Sequence, residues 1–225
     1  DVDADLRKQL MGEPNCRFYR TFEPCGPYRI TNGLIDYLET PYLCIQDSDD
    51  LSSPNRVWRS VSILQSGYDI FSGGMEQFID RHHPGPVVNR NLQMMPYLLS
   101  GVYWQTVPNG CLINGAMTIS KDYFKRVNGF CGFRATGDCE FFNRVHYAGA
   151  RIHRSDHIVA WRRLHENSLS HGSPFAAPAQ LESRKRELVR RLELFKQPGF
   201  DPRPFGNLDR DGSATFMTRL RRREL

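Results

Sequence analysis

The run Tyr42-Leu43-Cys44-Ile45-Gln46 is apolar and ends abruptly in Asp47-Ser48-Asp49-Asp50. Short apolar runs bounded by turn-forming residues read as buried strands. Aspartate is poor in strands, and three carboxylates within four residues repel one another, so the strand has to stop there. A helix follows over Pro54 to Ser66: Pro54 falls in its first turn, where proline is tolerated, and Ser52 or Ser53 supplies an N-cap. This part of the chain is therefore committed to strand, acidic turn and helix. The acidic cluster is stable if it is solvated, if it caps the helix, or if it holds a cation. One carboxylate is enough for capping. Hard cations such as Mg²⁺ or Mn²⁺ take oxygen ligands and bridge to phosphates. In α/β sheets, ligands sit outside the carboxyl ends of the strands, where this cluster falls. Both the capping and the metal-binding readings stand at this point.

The same alternation continues along the chain. Ala4 to Met11 suits a short helix and Arg17 to Arg20 a strand, and Tyr28 to Leu38 has helical spacing at Ile30, Leu34, Ile35 and Leu38. Tyr68 to Phe71, Gly73 to Phe78 and Leu112 to Ser120 read as strands. Lys121 to Val127 is a short helix ended by Asn128-Gly129, and Asp138 to Ala148 is another helix, leading to the strand Arg151-Ile152-His153. Strands alternating with helices predict an α/β fold with a mostly parallel sheet. At 225 residues, one domain with a terminal appendage is expected. Eighteen Gly and 14 Pro without a period exclude a collagen-like chain, and no run approaches the ~18 apolar residues of a spanning helix. The acidic opening, Asp1 to Asp5, does not read as a signal peptide, and without an initiator Met it reads as a piece of a longer chain. The six cysteines form no C-x-x-C pair and read as free, mostly buried thiols of a reducing compartment.

Three blocks carry a resemblance. Asn32-Gly33-Leu34-Ile35-Asp36-Tyr37-Leu38, then Pro41 to Asp50, then Pro54-Asn55-Arg56, are similar to the central part of family-2-like glycosyltransferases of the GT-A fold. Gly115 to Phe124 through Asn128-Gly129-Phe130 resembles that family's stretch ending in G-G-F, with Asn128 in place of the first Gly. Gly137-Asp138-Cys139-Glu140-Phe141-Phe142-Asn143-Arg144 resembles its E-D-x-x-L-x-x-R element, with Gly137 in place of the Glu. Trp161 to Ser170 looks like the closing R-x-H-x-x-S-x-S. Order and spacing agree from Asn32 to Ser170. The family's opening strands, which end in D-D-G-S and bind the base and ribose, have no counterpart before Asp3.

The resemblance implies a GT-A-like, Rossmann-like sheet with a C-terminal helical appendage: a partial transferase domain over 1–173 and a basic helix and tail over 174–225. It implies transfer of a sugar from a nucleotide-diphospho-sugar to a glycan, lipid-linked or protein acceptor, with inversion and with Mg²⁺ or Mn²⁺. Asp47 and Asp49 would be the D-x-D pair, Asp50 the alternate ligand, and His165 a metal or diphosphate contact. Asn32, Asp47, Arg162 and Arg163 would bind the donor, since guanidinium forks match phosphate oxygens. Asp138 would be the base that takes the proton from the acceptor hydroxyl. Of the remaining candidates, Trp104 stacks on an acceptor sugar or belongs to the core, His171 is a weaker ligand, His82-His83 is a loop tip, and Asn114-Gly115 lets a sugar approach the backbone. A metal-dependent phosphohydrolase would need more His and Asp ligands at metal spacing.

The net charge of +5 is concentrated late, in Arg184-Lys185-Arg186, Arg190-Arg191 and Arg219 to Arg223. Gln180 to Gln197 is an amphipathic helix whose apolar residues, Leu188, Leu192 and Phe195, either pack on the core or leave a cationic stripe for a weak membrane-surface contact. No nucleic-acid partner is expected. Asn207 to Leu225 reads as a mobile tail. A cytoplasmic, membrane-peripheral protein is the expected setting. The rival reading is a non-catalytic remnant that binds through this basic helix.

Overall fold

The computed structural model describes residues 13–79, 93–95, 114–133, 136–163, 178–212 and 216–220. The elements are β1 (Tyr19–Thr21), α1 (Pro27–Leu34), β2 (Tyr42–Cys44), β3 (Leu51–Ser52), α2 (Arg56–Gln65), β4 (Ile70–Ile79), β5 (Gln93–Met95), β6 (Met117–Ser120), α3 (Lys121–Arg126), α4 (Gly137–Tyr147), β7 (Ile152–Arg163), α5 (Pro178–Phe195), α6 (Leu208–Asp211) and β8 (Met217–Arg219). The expected helix Ala4–Met11, the His82-His83 tip, Trp104, Cys111, His165 and His171 lie outside the described residues. The described cysteines are free thiols; Cys25 and Cys131 are buried, and Cys16 is exposed. Among the described residues, no helix is long and apolar enough to cross a membrane.

The fold is α/β, as expected, but its sheet is mixed and not mostly parallel. The strand order is β2-β6-β4-β7-β3, with β5 pairing β4. The pair β4–β7 is parallel; β2–β6, β6–β4, β4–β5 and β7–β3 are antiparallel. Alternation along the sequence specifies layers. It leaves strand direction to which strands meet.

Two expected strands, Tyr68–Phe71 and Gly73–Phe78, are one. β4 runs through Ser72-Gly73-Gly74, and the register with β7 shifts there on either side of Gly74. The glycines are needed for close approach. A Cβ on Gly73 would stand 2.3 Å from the Val159 side chain, and one on Gly74 2.9 Å from that of Ile158. The irregularity lets β7 reach 12 residues, far beyond the expected Arg151–His153, and carries Arg162 and Arg163 to its end.

Two apolar clusters fill the sheet's faces. One joins Tyr28, Ile35, Leu43, Ile70, Met117, Ile119, Phe124, Phe130, Phe141 and Phe142; the other joins Leu64, Phe71, Met75, Ala116, Val159 and Ala160. The C-terminal segment is part of this packing. Leu188, Leu192 and Phe195 of α5 are buried, so the apolar face of that helix docks on the protein. The expected mobile tail instead holds α6 and β8. β8 pairs antiparallel with β1, and Asp211 of α6 is buried.

A buried ionic knot ties α5 to α4. Arg144 has no exposed surface: its Nε donates to Glu140 at 3.0 Å, its Nη2 to the Gly129 carbonyl at 2.6 Å, and its Nη1 to the Val127 carbonyl. Arg191 of α5 donates to the same Glu140 oxygen at 3.1 Å, and its guanidinium lies 4.7 Å from the centre of the Phe133 ring. Glu140 thus lies between two guanidiniums, and it is wholly buried. Removing one partner of a buried pair leaves uncompensated charge. Glu140→Gln is expected to cost about 3–5 kcal/mol of unfolding free energy. Urea denaturation checks this, and a loss below about 1 kcal/mol contradicts the arrangement.

Candidate functional site

The acidic turn spans the sheet from one edge to the other. β2 and β3 are its two edge strands, yet only Ile45 to Asp50 separates them. Five strands side by side would set flat edges ~19 Å apart. Seven Cα steps reach ~24 Å only when fully extended, and this segment turns, with the Asp50 N–H bonded to the Asp47 carbonyl at 3.3 Å. The sheet must curl for the edges to be joined so briefly, and the carboxylates lie across the end of the curl.

Arg56, at the start of α2, holds this segment. It is 1% exposed. Its Nη1 donates to Gln46 Oε1 at 2.7 Å and Ser52 Oγ at 2.9 Å; its Nη2 donates to the Ile45 carbonyl at 2.6 Å and the Met117 carbonyl at 3.4 Å. Both ends of the acidic turn and the neighbouring strand β6 are therefore tied to one guanidinium. Ser53 does not cap α2 directly. Its hydroxyl donates to Oδ1 of Asn55, the residue at the cap position, at 2.5 Å, while its carbonyl receives the Arg56 N–H at 3.0 Å. No carboxylate of the cluster caps that helix through its side chain.

Asp50 is fixed from the opposite side. The Arg163 N–H, at the end of β7, donates to its Oδ1 at 2.9 Å. Its Oδ2 faces Gly115, where a Cβ would come within 3.3 Å. The small residue expected to let a ligand approach the backbone thus also makes room for Asp50. Burial pushes the Asp50 carboxyl up to about 6, helped by the charges of Asp47 and Asp49 and opposed by the Arg163 N–H and the Arg162 charge. Asp47 is raised by burial first and by Asp49 next; Arg162 and Arg56 pull it back, and Asp138 adds to the rise.

Asp138 enters from α4. It keeps a solvent-accessible edge, yet the packing about its carboxyl is dense, and burial is the largest influence raising its proton affinity. Tyr28 Oη donates to its Oδ1 at 3.0 Å, as does the Cys139 N–H at 3.0 Å, and Arg162 also favours the ionised form. The residue before α4 proper, Thr136, has φ 60°, a left-handed conformation costly for a β-branched residue.

Asp47 is therefore within electrostatic reach of Asp49, Asp50, Asp138 and Arg162, and the Arg163 backbone reaches Asp50. Asn32 is placed differently from the donor-binding expectation. It is wholly buried, and its amide is spent on protein groups: the Phe130 N–H donates to its Oδ1 at 2.9 Å, and its Nδ2 donates to the Phe130 carbonyl and to Asp211, each at 3.0 Å. It clamps the Asn128-Gly129-Phe130 turn to α1 and α6, with no surface left for a ligand. Asn128, where the resemblance expects Gly, has φ 60°, which Asn tolerates; its side chain exchanges hydrogen bonds with Asp209, docking α6.

Sequence reading missed Tyr28 as a site residue and Arg56 as the anchor of the acidic turn. Tyr28 carried no signal, because its partner lies 110 residues away. Arg56 was visible only as part of Pro54-Asn55-Arg56.

No protein-family model matches this sequence. No curated protein matches it at a significant level either.

The raised carboxyls set the sign of a pH effect. Asp50, Asp47 and Asp138 bind protons more tightly folded than unfolded, so through them stability falls as pH rises from the ordinary carboxylate value, 3.8, through about 6. Glu187, held down to about 2 by Arg190 and Arg191, acts oppositely, but only below its ordinary value of 4.5. Without divalent cations, stability is expected to be greater at pH 5 than at pH 7. Asp50→Asn is expected to raise stability at pH 7 and flatten that slope. Urea unfolding at pH 5, 6 and 7 tests this; an unchanged slope in the variant contradicts the burial of Asp50.

Proposed function

We propose that this chain is a glycosyltransferase of the GT-A type that moves a sugar from a nucleotide-diphospho-sugar to a hydroxyl acceptor with inversion. The observation that carries the reading is the meeting of the acidic turn, the end of β7 and the start of α4. It brings a cluster of carboxylates, a guanidinium and a separate part-buried aspartate together, and the three blocks of the resemblance supply these same pieces.

The donor set fits a hard cation. Asp47 and Asp49 are oxygen ligands on one turn, and burial first and the Asp49 charge next raise the proton affinity of Asp47. Among the described residues, no group of three or more His, Cys, Asp or Glu side chains is arranged to hold a metal. Mg²⁺ and Mn²⁺ are commonly held by one or two carboxylates, with phosphate and water completing the shell. Asp47 and Asp49 would hold the cation here, with Asp50 the alternate. When bound, it supplies neutralisation of the charge that develops on the leaving diphosphate.

The protein's own groups do the rest. Arg162 is a cation beside the cluster and suits the diphosphate. Asp138 takes the proton of the acceptor hydroxyl as its oxygen attacks the anomeric carbon. The bond from that carbon to the diphosphate breaks, and the nucleoside diphosphate leaves with the electron pair. A carboxyl whose proton affinity is raised by burial is the stronger base for this step. The acceptor is a glycan, a lipid-linked saccharide or a protein. The setting in keeping with this chemistry is the cytoplasm, with any membrane contact peripheral and made through the cationic face of α5.

Calorimetric titration of Mn²⁺ with nucleotide sugars is expected to show metal-dependent binding that Asp47→Ala and Asp49→Ala abolish. Asp138→Asn is expected to leave that binding intact and lower transfer ~10²–10⁴-fold. Metal-dependent binding that persists in both alanine variants removes the D-x-D assignment. Transfer within a few-fold of the parent in Asp138→Asn removes the base.

A further inference from the structure

The resemblance pairs a Glu with the catalytic Asp, and here that position is Gly137. The structure gives a steric reason. Tyr28, on the first turn of α1 and 7% exposed, lays its ring on Gly137. A Cβ at 137 would come within 2.6, 2.8 and 3.0 Å of ring carbons Cδ2, Cε2 and Cγ. These are rigid aromatic atoms, packed in turn on Phe130 with ring centroids 5.0 Å apart. No side chain larger than glycine's hydrogen fits at 137 while Tyr28 stays in place.

The same placement puts the Tyr28 hydroxyl on the neighbouring carboxylate. Its Oη lies 3.0 Å from Asp138 Oδ1, and the Cys139 N–H lies 3.0 Å from the same oxygen. Two donors on one oxygen restrain rotation of the carboxylate about its Cβ–Cγ bond. Both bonds favour the ionised form and oppose the effect of burial. The other charged group acting on Asp138 is Arg162 from β7, which favours ionisation; Asp138 in turn raises Asp47 of the acidic turn.

We propose that Tyr28 is the positioning residue of the base: it holds Asp138 by Oδ1 so that Oδ2 receives the acceptor proton, and Gly137 is glycine to admit the ring that does so. This rests on the transferase reading given above. The proton passes from the acceptor hydroxyl to Asp138 Oδ2, the acceptor oxygen bonds to the anomeric carbon, and the diphosphate departs with the electrons of the broken bond. Tyr28 keeps its own proton throughout; burial first, and Asp138 next, push its hydroxyl well above the ordinary phenol range.

Tyr28→Phe keeps the ring against Gly137 and removes only the donor. Parent and variants of the full chain are compared by release of nucleoside diphosphate from a panel of uridine, guanosine and thymidine diphosphate sugars with Mn²⁺. The Asp138 carboxyl is followed by ¹³C NMR across pH, and assigned by its disappearance in Asp138→Asn. Tyr28→Phe is expected to lower kcat by about 10- to 100-fold with donor KM unchanged, and to move the acid limb of the profile and the Asp138 titration upward together. Gly137→Ala, which displaces the ring, is expected to show the same two shifts, and the double variant to be no worse than either. Unchanged kcat and an unmoved titration in Tyr28→Phe, with Asp138→Asn inactive, overturn the role of Tyr28 and leave the base standing. Full release by Asp138→Asn removes the base and this proposal with it, and no release by the parent overturns the transferase reading itself.

Discussion

Arg56 is a whole guanidinium taken out of water, and four described hydrogen bonds are given up to carbonyls, an amide and a hydroxyl. A buried cation without a bonded carboxylate is expensive. What offsets it is geometric: the bonds gather Ile45, Gln46, Ser52 and Met117 around one rigid fork. The charge is also felt by Asp47, whose ionised form it favours. The acidic turn thus gains a positive centre that none of its carboxylates has to contact. If Arg56 bonded the carboxylates directly, their oxygens would be consumed in an ion pair. Because it bonds the backbone and neutral side chains instead, Arg56 fixes the turn without taking up its carboxylate oxygens.

A second arginine solves a similar problem on the other side of the site. Arg144 is buried in the same way, but it has Glu140 as a partner and holds the carbonyls of Val127 and Gly129. Those carbonyls flank Asn128, whose left-handed backbone would otherwise leave them unsatisfied. Asn32 closes the turn from α1, and α6 and α5 close it from the C-terminal side through Asp211 and Arg191. The helix that carries Asp138 is therefore braced at Glu140 and Arg144 by segments distant in sequence. The C-terminal segment acts in this bracing, and the apolar side of α5 is spent on it.

Legibility from sequence followed the range of the interactions. The strand Tyr42–Cys44, the helix from Arg56 and the helix from Gly137 are local patterns of apolar spacing and turn residues, and all were readable. The direction of the strands was not, because it depends on which edges meet. β3 has two residues and no periodicity of its own; it exists because Leu51 and Ser52 land beside Trp161 and Ala160. β7 reads as a short strand because its register shifts break the alternation that a pattern search relies on. β8 lies in a stretch that looks like a polar tail, and it is a strand only through its pairing with β1. At the site, the carboxylates were legible as a cluster. Their fixation by Arg56, by the Arg163 N–H and by Tyr28 was not, since each partner is far away in sequence or acts through the backbone.

These constraints leave the two kinds of carboxylate in different electrostatic circumstances. Asp47, Asp49 and Asp50 lie on one turn, and after burial the neighbouring charges raise the proton affinity of Asp47 and Asp50. Asp138 is separated from them by chain and by anchoring. It is raised chiefly by burial and stabilised by two donors on one oxygen. Arg162 stands between the two, acting on Asp47, Asp50 and Asp138 alike. Asp138 raises the proton affinity of Asp47, so a cation neutralising the turn would weaken the repulsion between the two carboxyls. Charge at the turn and charge at the start of α4 are thus linked through space, without any movement of the chain.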